Sequence, residues 1–209
     1  MSIGPFGESA LLVELGDRID EVLATRGRAI ADAWEELGHG PAVPAYASAL
    51  LRFDPLALAP AAAERLAREI LTRAESVGAA VTGRTVEVPT TYDGPDLASV
   101  AEASSLTVPQ LVELHSSRSY MVYFLGFLPG LAYCGMLDPR IVAPRLAHPR
   151  VRVPAGSVGV AAGQTTIYPS DSPGGWRLLG RSGIRLYDPA ADPPVLLRAG
   201  DRVRFVPVR

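Results

Sequence analysis

The spacing of apolar and polar positions divides the chain into two differently patterned parts. Residues 10 to 15, ALLVEL, predict a short buried strand, and the preceding MSIGPFG is placed to pair with it through Gly7-Glu8-Ser9. Asp20 opens a stretch to about Leu37 in which Val22, Leu23, Ile30, Ala33, Trp34 and Leu37 recur largely on one helical face, with Gly38 as the stop. Residues 46 to 53, YASALLRF, predict a second strand ended by Asp54-Pro55. A second helix is expected from about Pro60 to Val77, on the stripe Ala63, Leu66, Ile70, Ala74 and Val77, with Gly78 behind it. This is the pattern of a small α/β domain, residues 1–82.

The pattern changes near Gly83. TVEVP, 85 to 89, alternates like a strand, and two short helices are expected, one over Leu97 to Ala103 and one opening at Thr107 with Pro109 just inside it and ending near His115. From Ser119 the helical period vanishes. SYMVYF, a valine- and glycine-rich stretch from 150 to 169, IRLYDP, PVLL and RVRFVPV read as strands, with Ala199-Gly200-Asp201 as a tight turn between the last two. Many short strands with glycine at the corners predict a closed or nearly closed barrel over residues 83–209, so the fold class is α+β.

Composition narrows the chemistry. All 20 basic residues are arginine and the chain has no asparagine, which excludes Schiff-base lysine chemistry, a lysine-bearing phosphate loop, a Cys-His-Asn triad and N-glycosylation. A net charge of -2 supplies no bulk attraction to nucleic acid or to an anionic membrane. The first residues lack a basic region, so no secretory leader is expected, and a single cysteine, Cys134, allows no internal disulfide. A cytoplasmic location fits these features. His39, His115 and His148 share no ligand spacing, so no metal site is expected. His115 has two readings, a charge favouring a helix end and a catalytic group. Cys134 reads as a buried thiol.

Two segments carry candidate chemistry. In FLGFLPGLAYCGMLDP, 124 to 139, a nearly continuous apolar run is broken every few residues by glycine or proline, and five of the chain's 14 aromatic residues lie between Tyr120 and Tyr133. Either this is a core strand entering a buried corner, or it is the apolar wall of a pocket or partner surface shaped by Pro129-Gly130. In RVPAGSVGVAAGQTTIYPSDSPGGWRLLGRS, 152 to 182, the density of glycine and proline suits backbone amides aimed at an anion or carbonyl, at Gly156-Ser157 and at Ser172-Pro173-Gly174-Gly175. Gln164 offers an amide donor and acceptor, or merely ties a loop. Arg140, Arg145, Arg150 and Arg152 are either a solvated surface or a site for an anion or an acidic partner.

Taken together, YMVYFLGFLPGLAYCGMLDPR, PRVRVPAGSVGVAAGQTTIYPSDSPGGWRLLGRS and RAGDRVRFVPV, with GESALLVELGD and YASALLRFDP at the front, resemble the family of 5-oxoprolinase B-type subunits, also called allophanate hydrolase subunit 1, which includes Kip-type inhibitors of a histidine kinase. The resemblance implies a small N-terminal α/β domain and a cyclophilin-like β-barrel. It further implies a paired cyclophilin-like partner (the C-type, or allophanate hydrolase subunit 2, chain), a third 5-oxoprolinase subunit, and ATP with Mg2+ for opening 5-oxoproline to glutamate, the nucleotide belonging to the complex rather than of necessity to this chain. The alternative it carries is a regulatory module that inhibits a sensor histidine kinase. An amidase signature is absent, so allophanate hydrolysis is not assigned to this chain. PTTYDGPDL has threonine where many members carry cysteine, which argues against a catalytic thiol.

On this reading the two segments form one wall of a cleft that the partner completes. Tyr120, Phe127, Tyr133 and Trp176 supply apolar area, Arg152, Ser157 and Gln164 orient a small-molecule substrate, and Pro129, Gly130, Pro154, Gly156, Thr165, Tyr168, Ser172, Pro173, Gly174 and Gly175 shape the backbone around them. No catalytic base is identified.

Overall fold

A computed structural model describes residues 1–76 and 83–208 and divides the chain into two units, Met1–Thr82 and Gly83–Arg209. In the first, strands β1 (Ser2–Pro5), β2 (Ala10–Glu14), β3 (Ala42–Pro44) and β4 (Ser48–Arg52) form an antiparallel sheet in the order β1-β2-β4-β3. Helices α1 (Glu21–Glu36) and α2 (Pro60–Ser76) pack against it and each other. Asp20 caps α1 by accepting from the amides of Val22 and Leu23, and Gly38, at φ 72°, ends it. The α1 stripe is buried in its middle, at Ile30 and Trp34, where Gly27 lets the helix approach the carbonyl of Ser48, while Val22 and Leu37 at its ends are exposed. The Trp34 indole donates to the carbonyl of Arg52 at 2.8 Å, tying α1 to the end of β4. β3 was not expected from sequence; it is an edge strand carrying Pro44, where a missing N–H is tolerated. The expected last turn at Val77 and its stop at Gly78 lie outside the described residues.

The second unit is built from β5 (Thr85–Thr90), α3 (Leu97–Ala103), α4 (Val108–Ser116), β6 (Ser119–Leu125), β7 (Ala132–Gly135), β8 (Arg150–Val153), β9 (Ser157–Ala161), β10 (Gln164–Ile167), β11 (Ser172–Gly174), β12 (Arg177–Arg181) and β13 (Arg202–Pro207). Seven of these strands run in the order β12-β9-β10-β7-β6-β13-β5, and a bridge between Thr91 and Arg181, with both hydrogen bonds at 2.9 Å, brings the two edges together. The result is the barrel expected from the strand pattern. β8 and β11 form a separate two-stranded ribbon. Thr107 begins α4 with a reciprocal capping box to Gln110, Pro109 lying in the first turn.

The two faces of β9 explain where the core ends. Val158 and Val160 join Tyr120, Val122, Cys134, Ile167 and Phe205 in the barrel interior, whereas Ala161 joins Leu131, Val153, Tyr168, Trp176 and Leu178 in a second apolar cluster on the other face. The sheet is therefore covered on both sides here, and the outer cluster carries the candidate site.

IRLYDP and PVLL do not form the expected strands. Only Tyr187 and Val195 bridge, because Pro189, Pro193 and Pro194 offer no N–H to a ladder. The segment still packs, with Leu186 and Leu197 buried in the barrel core, and Gly200, at φ 86°, makes the expected turn into β13.

The closing bridge yields a prediction. A Cβ on Gly180 would lie 2.2 Å from the carbonyl oxygen of Thr91, whereas one on Gly183 meets nothing within 4 Å. Gly180→Ala is expected to cost about 1–3 kcal/mol in urea unfolding followed by near-UV circular dichroism, with Gly183→Ala close to unchanged.

Candidate functional site

The aromatic segment resolves into both of its readings. Its strand portion is core: Tyr120, Val122 and Cys134 face the barrel interior. Its loop is a hairpin between β6 and β7, closed by the amide of Gly126 donating to the carbonyl of Leu131 at 3.1 Å. Gly130 takes φ 82°, and a Cβ there would lie 3.1 Å from both the carbonyl oxygen of Leu186 and the Tyr187 Cβ, so a side chain fits only under strain. Phe127 is held at φ 69°, a costly conformation for a bulky residue, and is 67% exposed.

Beside this hairpin lies a recess of about 250 Å³, lined by Phe127, Leu131, Tyr133, Arg145, Pro149, Thr166, Tyr168, Pro173, Gly174, Gly175 and Trp176. Tyr133 stacks on Phe124 at 4.6 Å between ring centroids and meets Trp176 edge-on at 5.8 Å. Gly159 in the strand beneath leaves the space that the Trp176 and Tyr168 side chains fill, and a Cβ on Gly174 would strike the Tyr168 hydroxyl at 2.4 Å. Burial holds the Tyr168 phenol above its ordinary pKa, so it is a neutral donor at physiological pH.

Of the residues expected at the cleft, the recess brings together Phe127, Tyr133, Tyr168, Pro173, Gly174, Gly175 and Trp176. Pro129 and Gly130 shape the hairpin without lining the recess. Tyr120 is a correction: it is fully buried in the barrel, its hydroxyl donating to the carbonyl of His115 at 2.8 Å, because its strand position points inward. The Gly156-Ser157 turn is another. Its amides serve the fold, Gly156 N donating to Tyr168 O and Ser157 N to Pro154 O, while the Ser157 hydroxyl also donates to Pro154 O. The anion at this turn is internal: the carboxylate of Asp171 accepts from the amide of Ala155 at 2.8 Å and from Arg152. Those hydrogen bonds lower the Asp171 pKa. Gln164 and Thr165 are buried in β10, away from the recess lining, and Ser172 has a buried hydroxyl with no hydrogen-bond partner among the described residues.

The four clustered arginines also separate. Arg140 binds Asp138 at 2.8 Å, Arg150 binds both oxygens of Asp96 at 2.8 Å, and Arg152 binds Asp171 at 2.7 Å. Arg145 alone of the four lines the recess, its Cζ 5.9 Å from the Trp176 ring centroid. Leu131, Arg145, Pro149 and Thr166 were not assigned to the cleft from sequence. Their signal was spatial, except for Arg145, whose proline-spaced neighbourhood stood out.

His115 corrects both of its readings. It is fully buried, with Nδ1 2.7 Å from the Tyr92 hydroxyl and Nε2 2.9 Å from Thr165 Oγ1. Thr165 Oγ1 donates to Gly159 O at 3.2 Å, so Nε2 carries the proton to Thr165 and Nδ1 accepts from Tyr92. Desolvation pushes the imidazole pKa down to about 3, so it is a neutral strut rather than a helix-end charge. Burial likewise pushes the Cys134 thiol up to about 12, which leaves it protonated and unreactive.

The recess does not fit a nucleoside triphosphate. Its volume falls below the roughly 300–1,000 Å³ of sites that enclose drug-sized ligands, and it holds one guanidinium and no carboxylate. Among the described residues no group of three or more His, Cys, Asp or Glu could hold a metal ion, and no helix is long and apolar enough to cross a membrane.

These features define an α+β protein whose barrel carries an aromatic, arginine-edged recess on its outer face. Residues 1–197 match the family described as carboxyltransferase domain, subdomain C and D, and the chain belongs to it. It is 50% identical over 157 residues to a protein of Escherichia coli O157:H7 named as the B-type subunit of 5-oxoprolinase, the match covering 74% of this chain and 71% of that one. A protein of the same name from Bacillus subtilis (strain 168) is 36% identical, with 98% of this chain and 91% of that one covered. The crystal structure of TTHA0988 superposes with a TM-score of 0.84 at 39% identity, and the match takes in 96% of this chain but only 40% of that longer one.

Neutral burial of His115 has a consequence for acid stability. The folded state binds this proton only near pH 3, the unfolded chain near 6.5, so the stabilisation is complete above pH 6.5 and is lost as pH falls. The contribution of His115 should decline by up to about 1.4 kcal/mol per pH unit below pH 6.5. Urea titrations at stepped pH should show a shallower acid slope for His115→Gln than for the parent.

Proposed function

We propose that this chain is the B-type barrel component of an ATP-dependent hydrolase complex that opens 5-oxoproline to glutamate, working with a paired cyclophilin-like subunit and a third subunit. Family membership and the naming of its relatives support the complex. The observation that carries the reading is Phe127. A bulky side chain is kept at positive φ and two-thirds exposed on the rim of the recess, a conformation that costs about 1–2 kcal/mol. Burial within this chain offsets little of that cost, whereas burial against a second subunit would complete the recess and offset it. ATP and its Mg2+ belong, in this reading, to the assembled complex.

The test is reconstitution. Co-expression of the three subunits should give ATP-dependent glutamate formation from 5-oxoproline that is lost when this chain is omitted. Turnover without this chain, or inhibition of a sensor histidine kinase by the lone chain alongside an inert complex, would replace this reading with a regulatory one. For the rim, Phe127→Gly should leave thermal stability equal or higher, since it relieves positive-φ strain, and weaken co-purification with the paired subunit at least about tenfold in affinity. Undiminished affinity would remove Phe127 from the interface.

A further inference from the structure

We propose that Arg145 is the specificity-determining residue of the recess, its guanidinium reading the carboxylate of a small planar acid seated against Trp176. This rests on the reading of the recess as a substrate site and adds the group by which it selects.

Charge is the first argument. Among the residues lining the recess, Arg145 is the one that is charged at neutral pH, and no Asp or Glu faces it there. Its neighbours Arg140, Arg150 and Arg152 are each neutralised by an aspartate, whereas Arg145 has no carboxylate within ion-pairing distance among the described residues. A recess with one uncompensated cation and apolar walls favours a monoanion with a flat apolar body over a neutral ligand.

Placement is the second. Arg145 is exposed, yet the chain on either side of it is fastened opposite Trp176. Leu146 N donates to Gly175 O at 2.8 Å, and the Arg177 Nε donates to Pro144 O at 3.2 Å. Residues 144 and 146 are thereby held against 175 and 177, with the guanidinium 5.9 Å from the indole centroid. The cation is pre-positioned at the ring face, so little ordering is lost when a carboxylate arrives. Tyr168 also lines this wall, while the Thr166 hydroxyl is held by the carbonyl of Ala132 at 2.7 Å.

The chain has two tryptophans, Trp176 in the recess and Trp34 buried in the other unit, so the two indole N–H resonances give a reporter and an internal control. The full chain is titrated with 5-oxoproline, with the uncharged lactam 2-pyrrolidinone and with inorganic phosphate. The expected result is a saturable shift of the Trp176 signal by 5-oxoproline with Trp34 unmoved, binding of the lactam at least tenfold weaker, and loss of that preference in Arg145→Ala with both indole signals otherwise intact. No Trp176 shift with any of the three overturns the proposal. So does a preference for the acid that survives in Arg145→Ala, or phosphate binding as tight as that of the acid. The titration needs no turnover, so acid binding by a chain whose complex fails to open 5-oxoproline would sink the functional reading and leave the role of Arg145 standing.

Discussion

The recess depends on one buried carboxylate. Asp96, 6% exposed, accepts the Arg150 guanidinium on both oxygens and the amide of Leu178 at 2.7 Å. Arg150 in turn donates to the carbonyl of Trp176 at 3.3 Å. A buried charge is tolerated only with partners of this kind, and removal of either partner leaves the other uncompensated. Three separate pieces of chain, the start of α3, the ribbon strand β8 and the entry to β12, are thus fixed around one side chain. Trp176 is tethered at its own carbonyl, and its ring packs edge-on against Tyr133 over Gly159.

From that anchor the barrel divides its labour between two faces of the same strands. Inward, Val158 and Val160 pack in the interior, and His115 satisfies itself between Tyr92 and Thr165. A protonatable group in that interior is stable only as the neutral form, which is why burial shifts its pKa so far. Outward, Gly159 and Ala161 are small, and the space above them is taken by Tyr168 and Trp176. Two stacked or edge-on aromatic pairs then extend the surface to the hairpin loop. The interior confers rigidity, and the outer face uses it.

Elements whose cause is local were legible in the sequence. Asp20 and Thr107 announce their helices through their own side chains, and Gly38 ends α1 through a positive φ that few other residues accept. The two strands read over IRLYDP and PVLL failed for a local reason: the apolar alternation was present, but the prolines remove the donors a ladder needs. The candidate site was legible in part, because runs of glycine and proline are costly unless a backbone shape is required. What stayed hidden was pairing at long range. Arg150 and Asp96 are 54 residues apart, Arg152 and Asp171 19 apart, His115 and Thr165 50 apart. Four arginines that look alike along the chain become one recess cation and three structural ties only once those partners are in place. Tyr120 looked like Phe127 for the same reason, since which side of β6 faces inward is set by the closing of the barrel.

The recess is incomplete in two separate ways. Its rim holds an aromatic ring outward, against backbone preference, with little to cover it. Its wall holds a cation over an indole, with no counter-ion among the residues that line it. The first asks for apolar area and the second for a negative charge, and a single small molecule is too small and too polar to supply both well. On the proposed reading two occupants would satisfy the pair of demands, a protein surface at Phe127 and a small anion at Arg145. Because covering the rim also excludes water from the wall, the guanidinium would attract its anion more strongly in the assembled state than in the free chain. On that reading assembly and ligand binding would be coupled through solvent exclusion, with the backbone beside Trp176 already fixed through Asp96 and Arg150.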